Sequence, residues 1–182
     1  MLPDTTTDEF LVEKAKDGDE RAFLLLYERH RSAIFKFLYR LSGSAEVAED
    51  ISHDSFVSLV RGSKGFQIGA RAPLRIQLYS RARNLAMEYF RNSAKASEIV
   101  KDDASTRREK PLNRTQAERA ASEVTKAIAS LPILEREVLI FFEYEGLKLD
   151  EIGTIVGTDV EAVTARLMRA RQRLQNTLGT KL

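Results

Sequence analysis

Apolar residues recur at intervals of three and four positions along nearly the whole chain, and no stretch keeps a strict alternation of apolar and polar residues. The first spacing places apolar side chains on one face of an α-helix, whereas alternation would indicate a β-strand. The longest such stretch runs from about residue 19 to residue 41 and forms one broad apolar stripe. We therefore predict an all-α fold.

Glycine, proline and small polar residues interrupt this pattern and set the predicted helix boundaries. Gly18, Gly43 and Gly157 follow apolar stripes, Ser44 suits an N-cap position, and Pro73 suits the first turn of a helix. The predicted helices span residues 7–17, 19–41, 45–61, 73–90, 115–130, 133–144, 148–156 and 159–177.

A change of composition divides the helices into two groups. Residues 93–114 contain no aromatic residue, and their only larger apolar residues are Ile99, Val100 and Leu112. Such a segment cannot bury enough apolar surface to fold by itself, so we interpret it as a flexible linker. The sequence thus predicts two small helical domains, at residues 7–92 and 115–178, joined by this linker.

Composition excludes several classes of protein. The 182 residues include no cysteine, which excludes disulfides and thiolate sites, and the net charge of +2 indicates no particular partner. No apolar stretch approaches the ~18 residues of a membrane span. The first residues, MLPDTTTDEF, lack the basic and apolar segments of a signal peptide. With no cysteine and no export signal, we expect a cytoplasmic protein. With two histidines and no glycine-rich phosphate loop, we expect a non-enzymatic protein without catalytic residues, metal or cofactor.

The last two predicted helices have the spacing of a helix-turn-helix: LDEIGTIVG, a turn at Gly157, and a longer helix with four arginines between residues 160 and 174. Only Glu161 opposes these arginines, so that segment has a net charge of +3. Arginine can bind DNA phosphates or take a guanine edge in a major groove. An arginine-rich surface helix without a DNA partner is the alternative.

The predicted helix at 73–90 is also basic, because residues 71–91 contain five arginines against Glu88 alone. In the preceding loop, Phe66 lies close to Lys64. An aromatic ring beside basic groups can stack on an unpaired base. The alternative is that Phe66 anchors the loop on its own domain.

The predicted helix at 45–61 is acidic on one side. Glu46, Asp50 and Asp54 stand four residues apart, with His53 beside them, and carboxylates at that spacing repel each other by a few tenths of a kcal/mol per pair. An acidic face repels nucleic acid and suits a protein partner with basic residues. An ordinary solvated face is the alternative.

In order and spacing, these features resemble bacterial RNA polymerase sigma factors of the extracytoplasmic-function (ECF) group of the sigma-70 superfamily. The resemblance rests on AEDISHDSFVSL at 48–59, LYSRARNLAMEYFRN at 78–92, and LPILEREVLIFFEYEGLKLDEIGTIVG followed by AVTARLMRARQRL within 131–174. It implies that the first domain, region 2, binds core RNA polymerase and opens promoter DNA at the minus-10 element. The second domain, region 4, would read the minus-35 element, and an anti-sigma factor would be a further possible partner.

Charge, helical spacing and the resemblance together give three sets of candidate contacts. The core polymerase contacts are Glu46, Glu49, Asp50, His53, Asp54 and Phe56. The minus-10 contacts are Lys64, Phe66, Arg71, Arg75, Arg81, Arg83, Asn84 and Arg91. The minus-35 contacts are Glu161, Ala162, Thr164, Ala165, Arg166, Arg169 and Arg173.

The chain departs from the family pattern at several positions. Gln77 and Arg81 stand where many members have tryptophan and isoleucine, and Thr164 stands where many have a phosphate-binding lysine. Glu161 replaces a common glycine and could accept a hydrogen bond from a cytosine amine. We expect an altered upstream preference. The rival interpretations of the whole chain are a helix-turn-helix regulator, or a sigma-like decoy that binds an anti-sigma partner without directing transcription.

Overall fold

The computed structural model describes residues 6–61, 72–99 and 116–179, and all regular secondary structure in these ranges is helical. The all-α prediction is confirmed. The elements are α1 Asp8–Lys16, α2 Glu20–Ser42, α3 Ala45–Arg61, α4 Leu74–Ile99, α5 Gln116–Ala129, α6 Ile133–Glu143, α7 Leu149–Val156 and α8 Val160–Gly179.

Local capping interactions explain why the helix boundaries can be predicted from the sequence. The Asp19 carboxylate accepts hydrogen bonds from the backbone N–H groups of Arg21 (2.9 Å) and Ala22 (3.2 Å) at the start of α2. Gly43 ends that helix with φ of 74°, a conformation that costs glycine little. Ser44 then accepts a bond from the Val47 N–H at 3.3 Å and caps α3, as the sequence predicts.

Helix α4 is longer than predicted. It continues to Ile99, although the sequence analysis begins the linker at residue 93. Residues 93–99, SAKASEI, contain neither glycine nor proline and include good helix formers, so nothing local ends the helix. The remainder of the predicted linker, from residue 100, lies outside the described residues.

Helices α1 to α4 pack around one set of buried side chains, and α6 to α8 around another. The first set includes Leu26, Phe37, Leu41, Phe56 and Leu78, each no more than 1% exposed. The second includes Val138, Ile140, Ile152, Val163 and Leu167. The predicted stripe on α8 thus faces the interior through Val163, Leu167 and Ala170.

The two groups of helices also contact each other, which the sequence did not predict. Helix α6 packs on α2, and α7 packs on α4. At the centre, the Phe37 and Phe141 rings stack with centroids 4.4 Å apart, and the Tyr79 ring meets Phe141 edge-on at 5.5 Å. All three side chains are fully buried, so this contact is continuous with the hydrophobic core.

The predicted sequence of short helix, turn and longer helix is present in α7 and α8. Gly157 ends α7 with φ of 73°, and its N–H donates to the Gly153 carbonyl at 2.9 Å. A Cβ at Gly153 would lie 2.8 Å from the Thr158 carbonyl oxygen. The turn is therefore too close to α7 for any side chain at that position.

Candidate protein and nucleic-acid interfaces

The acidic surface of α3 consists of Glu46, Glu49, Asp50, His53 and Asp54, and all five side chains are exposed. On the opposite face of the helix, Ala48, Ile51 and Ser55 are buried. In the part of the chain that the structure describes, none of the five makes a side-chain hydrogen bond or ion pair. The repulsion between neighbouring carboxylates is therefore not relieved by cations of the described chain.

Phe56 does not belong to this surface. Its side chain is only 1% exposed, and its ring meets the Tyr27 ring edge-on with centroids 5.0 Å apart. The sequence assigned Phe56 to the polymerase contacts because it falls in the family motif. The structure corrects that assignment, because a side chain this deep in the core supports α3 and touches no partner.

A cavity that the sequence analysis missed opens between α2 and α3, beside the acidic surface. Its volume is about 280 Å³. Its lining residues are Tyr27, Arg31, Ser32, Phe35, Glu49 and Ser52. One wall is aromatic, and the lining bears both the Glu49 carboxylate and the Arg31 guanidinium, so the cavity can accept an apolar side chain with a polar end. In the sequence, this cavity is indicated only by Arg31 and Phe35, which lie beside the main apolar stripe of α2.

The candidate minus-10 residues of α4 differ in their partners. Asn84 and Arg91 are exposed. Arg75 is exposed as well, but Arg75 and Arg83 both bond to residues beyond residue 130, and Arg81 donates from Nε to the Ser58 hydroxyl of α3 at 2.5 Å. Three further candidates, Lys64, Phe66 and Arg71, lie outside the described residues.

Among the described residues, Arg83 forms the ion pair with the least exposed side chains. Its Nε and one terminal nitrogen donate to the two carboxylate oxygens of Glu137 on α6, at 2.8 and 3.0 Å. The Glu137 side chain is fully buried. Burial raises the pKa of Glu137 above its ordinary value of 4.5, while the bonds from Arg83 and the charge of Arg166 act in the opposite direction.

On α8, the candidate minus-35 contacts differ in exposure. Glu161, Arg169 and Arg173 are exposed, whereas Ala162, Thr164, Ala165 and Arg166 are half-buried. The Thr164 hydroxyl donates to the Val160 carbonyl at 2.7 Å, so this side chain stays close to its own helix. The missing lysine is therefore not replaced by a side chain that extends toward a phosphate.

Two of the exposed arginines are oriented by a carboxylate of α6. Glu135 forms ion pairs with Arg169 (3.6 Å) and Arg173 (2.9 Å), while both arginine side chains remain 57% exposed. The Glu135 oxygen nearest Arg173 is buried and receives no well-aligned hydrogen bond. Because both guanidinium groups are more than half exposed, they can contact a DNA phosphate while they stay paired with Glu135, whose buried carboxylate would be left uncompensated if they moved away. Met168 is 67% exposed beside these arginines, and the sequence analysis did not include it.

Two family models match successive parts of the chain. Sigma-70 region 2 matches residues 26–96, and sigma-70, region 4 matches residues 121–174, so the two matches together include most of the chain. The chain belongs to the sigma-70 family. Sigma factors are initiation factors without enzymatic activity, and on that ground the prediction of a non-enzyme is confirmed.

Similar proteins agree with this family over nearly the full length. The ECF RNA polymerase sigma-E factor of Salmonella typhimurium is 27% identical, with 96% of each chain covered. The RNA polymerase sigma-H factor of Pseudomonas aeruginosa is 26% identical, with 94% of this chain and 93% of that protein covered. Thus the chain is an ECF-type member.

A solved structure shares the fold. The sigma factor RpoE of Bartonella quintana, in complex with the anti-sigma factor NepR, superposes with a TM-score of 0.63 at 22% identity, covering 84% of this chain and 94% of that one. The region 2 match includes most of α2, all of α3 and most of α4, and the region 4 match includes most of α5, all of α6 and α7, and most of α8. Among the described helices, none is long and apolar enough to cross a membrane, and the described residues contain no group of three or more His, Asp or Glu suited to a metal.

Proposed function

We propose that this sigma factor binds core RNA polymerase through the acidic surface of α3 and directs it to promoters that α4 and α8 read at the minus-10 and minus-35 elements. The observation that supports the proposal most directly is the line of exposed carboxylates on α3, which no cation of the described residues neutralises. A basic helical surface on the polymerase would offset their mutual repulsion and so gain affinity. We place the complex in the cytoplasm, and we include an anti-sigma factor among its partners.

The division of labour rests on the opposite charges of the two kinds of surface. The acidic surface of α3 repels DNA, whereas Arg91 on α4 and Arg169 and Arg173 on α8 are exposed cations. Phosphate contacts from such side chains set the register of a protein on DNA, and base contacts add specificity. A single chain can thus hold a protein and a DNA at different places without competition between the two.

Run-off transcription with purified core polymerase and a genomic fragment library tests the proposal. We expect the double variant Asp50→Lys and Asp54→Lys to bind core polymerase at least about tenfold more weakly, because each lysine places a cation against a basic partner. The control is Glu9→Lys with Glu13→Lys, two exposed carboxylates of α1 at the same spacing and with the same change of charge. Equal loss in both variants would refute the assignment of the surface.

The same assay separates the two rival functions. A sigma-like decoy would bind an anti-sigma partner and yield no promoter-specific transcript with core polymerase. A helix-turn-helix regulator would bind duplex DNA through α8 without any affinity for core polymerase. Promoter-specific transcripts that depend on the chain would exclude both.

A further inference from the structure

Two exposed arginines of α8 share a single carboxylate of the neighbouring helix. Arg169 and Arg173 stand four residues apart on α8, and like charges at that spacing repel each other. Glu135 of α6 pairs with both, because its Oε1 lies 3.6 Å from Nε of Arg169 and its Oε2 lies 2.9 Å from Nε of Arg173. One carboxylate therefore offsets the repulsion and holds the two cations on one side of α8.

Glu135 itself is fixed by its surroundings. Its side chain is only 10% exposed, and the helix that carries it packs closely on α8. Its Oε2 atom is buried and accepts no well-aligned hydrogen bond. Such a carboxylate depends on nearby cations to offset the loss of its water, so the movement of either arginine away from it is costly.

The pairing leaves one edge of each guanidinium group available to another ligand. In both contacts, the arginine atom that faces the carboxylate is Nε. The two terminal nitrogens form a second edge, which can donate to two acceptors at once. Because each arginine side chain is 57% exposed, this terminal edge can reach a phosphate, or the O6 and N7 atoms of a guanine.

Arg171 lies on a different side of the same helix. It is two positions from each of the other two arginines, which places it about 200° around the helix axis. Its guanidinium group donates to Glu143 of α6 at 2.5 Å and lies 5.2 Å from the centroid of the Phe142 ring. This second pair of arginine and carboxylate provides a matched comparison, because neither of its members is a candidate DNA contact.

We propose that Glu135 is a positioning residue for promoter recognition, which holds Arg169 and Arg173 as one preorganised pair with their terminal edges directed at the minus-35 duplex. The inference rests on the proposed function for the role of α8, and adds a residue that does not itself touch DNA. Arginines that are already ordered lose less side-chain freedom on binding. They also keep the fixed geometry that a base edge requires, whereas mobile arginines gain only loose phosphate contacts.

This role gives Glu135 two opposite effects on DNA binding. Its negative charge weakens the general attraction of α8 for phosphates, which does not depend on sequence. The order that it imposes on the arginines strengthens discrimination between sequences. Loss of the charge should therefore move general affinity and sequence discrimination in opposite directions, which neither a purely structural role nor a simple charge effect would do.

The substitution Glu135→Gln removes the charge and keeps the shape of the side chain. The matched control is Glu143→Gln, which removes the same charge from the pair with Arg171 on the same helix. Each variant is combined with core polymerase and tested on two probes. One is a promoter fragment recovered in the run-off transcription assay, and the other is the same fragment with its minus-35 element scrambled.

The ratio of the affinities for the two probes is the first readout. We expect Glu135→Gln to lower this ratio about tenfold, within the range that one bidentate base contact provides. Its affinity for the scrambled probe should be unchanged or higher. The control should keep the ratio of the unaltered chain. An equal loss on both probes, an equal gain on both, or an unchanged ratio would each overturn the proposal.

A double-mutant cycle tests whether Glu135 acts through an arginine. In the background of Arg173→Ala, Glu135→Gln should lower the ratio much less than it does in the unaltered chain, because part of what it positions is gone. Glu161 and Arg166 remain candidate base contacts in that background, so a loss can still be measured. An equally large loss in both backgrounds would rule out a positioning role.

The mobility of the arginine side chains is the last readout and needs neither polymerase nor DNA. Nitrogen-15 relaxation of the Nε–H group should show a lower order parameter for Arg173 in Glu135→Gln, with Arg171 unchanged. Glu143→Gln should give the reverse. Unchanged order of Arg173 would refute the inference. If the unaltered chain directs no promoter-specific transcription, the proposed function fails, whereas a failure of the positioning role alone leaves that transcription intact.

Discussion

Gly153 provides a direct test of the geometry of the helix-turn-helix. In the substitution Gly153→Ala, the new Cβ would lie 2.8 Å from the carbonyl oxygen of Thr158, at the start of the turn into α8. That oxygen belongs to the backbone, and the Thr158 N–H is itself bonded to the Gly153 carbonyl at 3.0 Å. The clash can be relieved only if α8 shifts relative to α7.

Two effects of opposite sign determine the size of the change. Overpacking in a well-packed region costs about 1–3 kcal/mol, and a rigid backbone neighbour favours the upper end of that range. Alanine in place of glycine inside a helix returns about 1 kcal/mol. The net loss in the free energy of unfolding of region 4 should therefore be about 2 kcal/mol.

Amide hydrogen exchange measures this loss locally, which avoids the assumption that both regions unfold together. A loss of 2 kcal/mol lowers protection of the α7 and α8 amides about 30-fold, since each 1.4 kcal/mol is a factor of ten. Binding of upstream duplex should weaken as well, because α8 moves. Gly179→Ala is the control, since nothing lies within 4 Å of a Cβ there. Unchanged or increased protection in Gly153→Ala would refute the reasoning.

Three further predictions test single residues. Arg169→Ala should weaken binding of upstream duplex and lower the slope of log affinity against log salt by about 1, whereas Arg171→Ala, which removes a pair with Glu143, should leave that slope unchanged. Phe56→Ala should destabilise region 2 by about 3–5 kcal/mol in chemical denaturation, and Phe56→Leu should keep polymerase affinity; a loss of affinity in a stably folded Phe56→Leu would restore it as a contact. Burial raises the pKa of Glu137, so this carboxyl binds a proton more readily in the folded chain than in the unfolded chain. The free energy of unfolding of the unaltered chain, measured relative to that of Glu137→Gln, should therefore fall as the pH rises from 4.5 through the raised pKa. A pH-independent difference between the two chains would contradict that sign.

Helix boundaries were predictable because the signals that set them are local. Asp19, Ser44 and Gly43 cap or end helices through bonds within four residues, so their meaning can be read in the sequence alone. The end of α4 cannot be predicted from the lack of large apolar residues after residue 92. A helix continues wherever its residues favour helical dihedrals and no glycine or proline interrupts it.

The pattern along a single helix predicts which candidate contacts are exposed, but not which of them pair with residues distant in sequence. The acidic surface of α3 is exposed as the spacing predicts, because its opposite face is apolar. Phe56 was assigned by motif instead of by helix face, and it proved to be buried. The ion pair of Arg83 could not be predicted for another reason. Its partner Glu137 lies 54 residues away in sequence, and no local pattern indicates that the two side chains meet.

Two sets of carboxylates in this chain show that the positions of nearby cations, more than the number of acidic residues, decide whether a carboxylate is buried or exposed. Glu135 and Glu137 of α6 look like ordinary solvated positions in the sequence, yet both are buried because arginines from α8 and α4 reach them. Glu46, Asp50 and Asp54 are exposed and have no described partner. A carboxylate whose cation lies in the same chain holds the chain's own parts together. A line of exposed carboxylates without such a cation can instead bind a basic surface of another molecule, which is why we propose Glu46, Asp50 and Asp54 as the polymerase contacts and not Glu135 or Glu137.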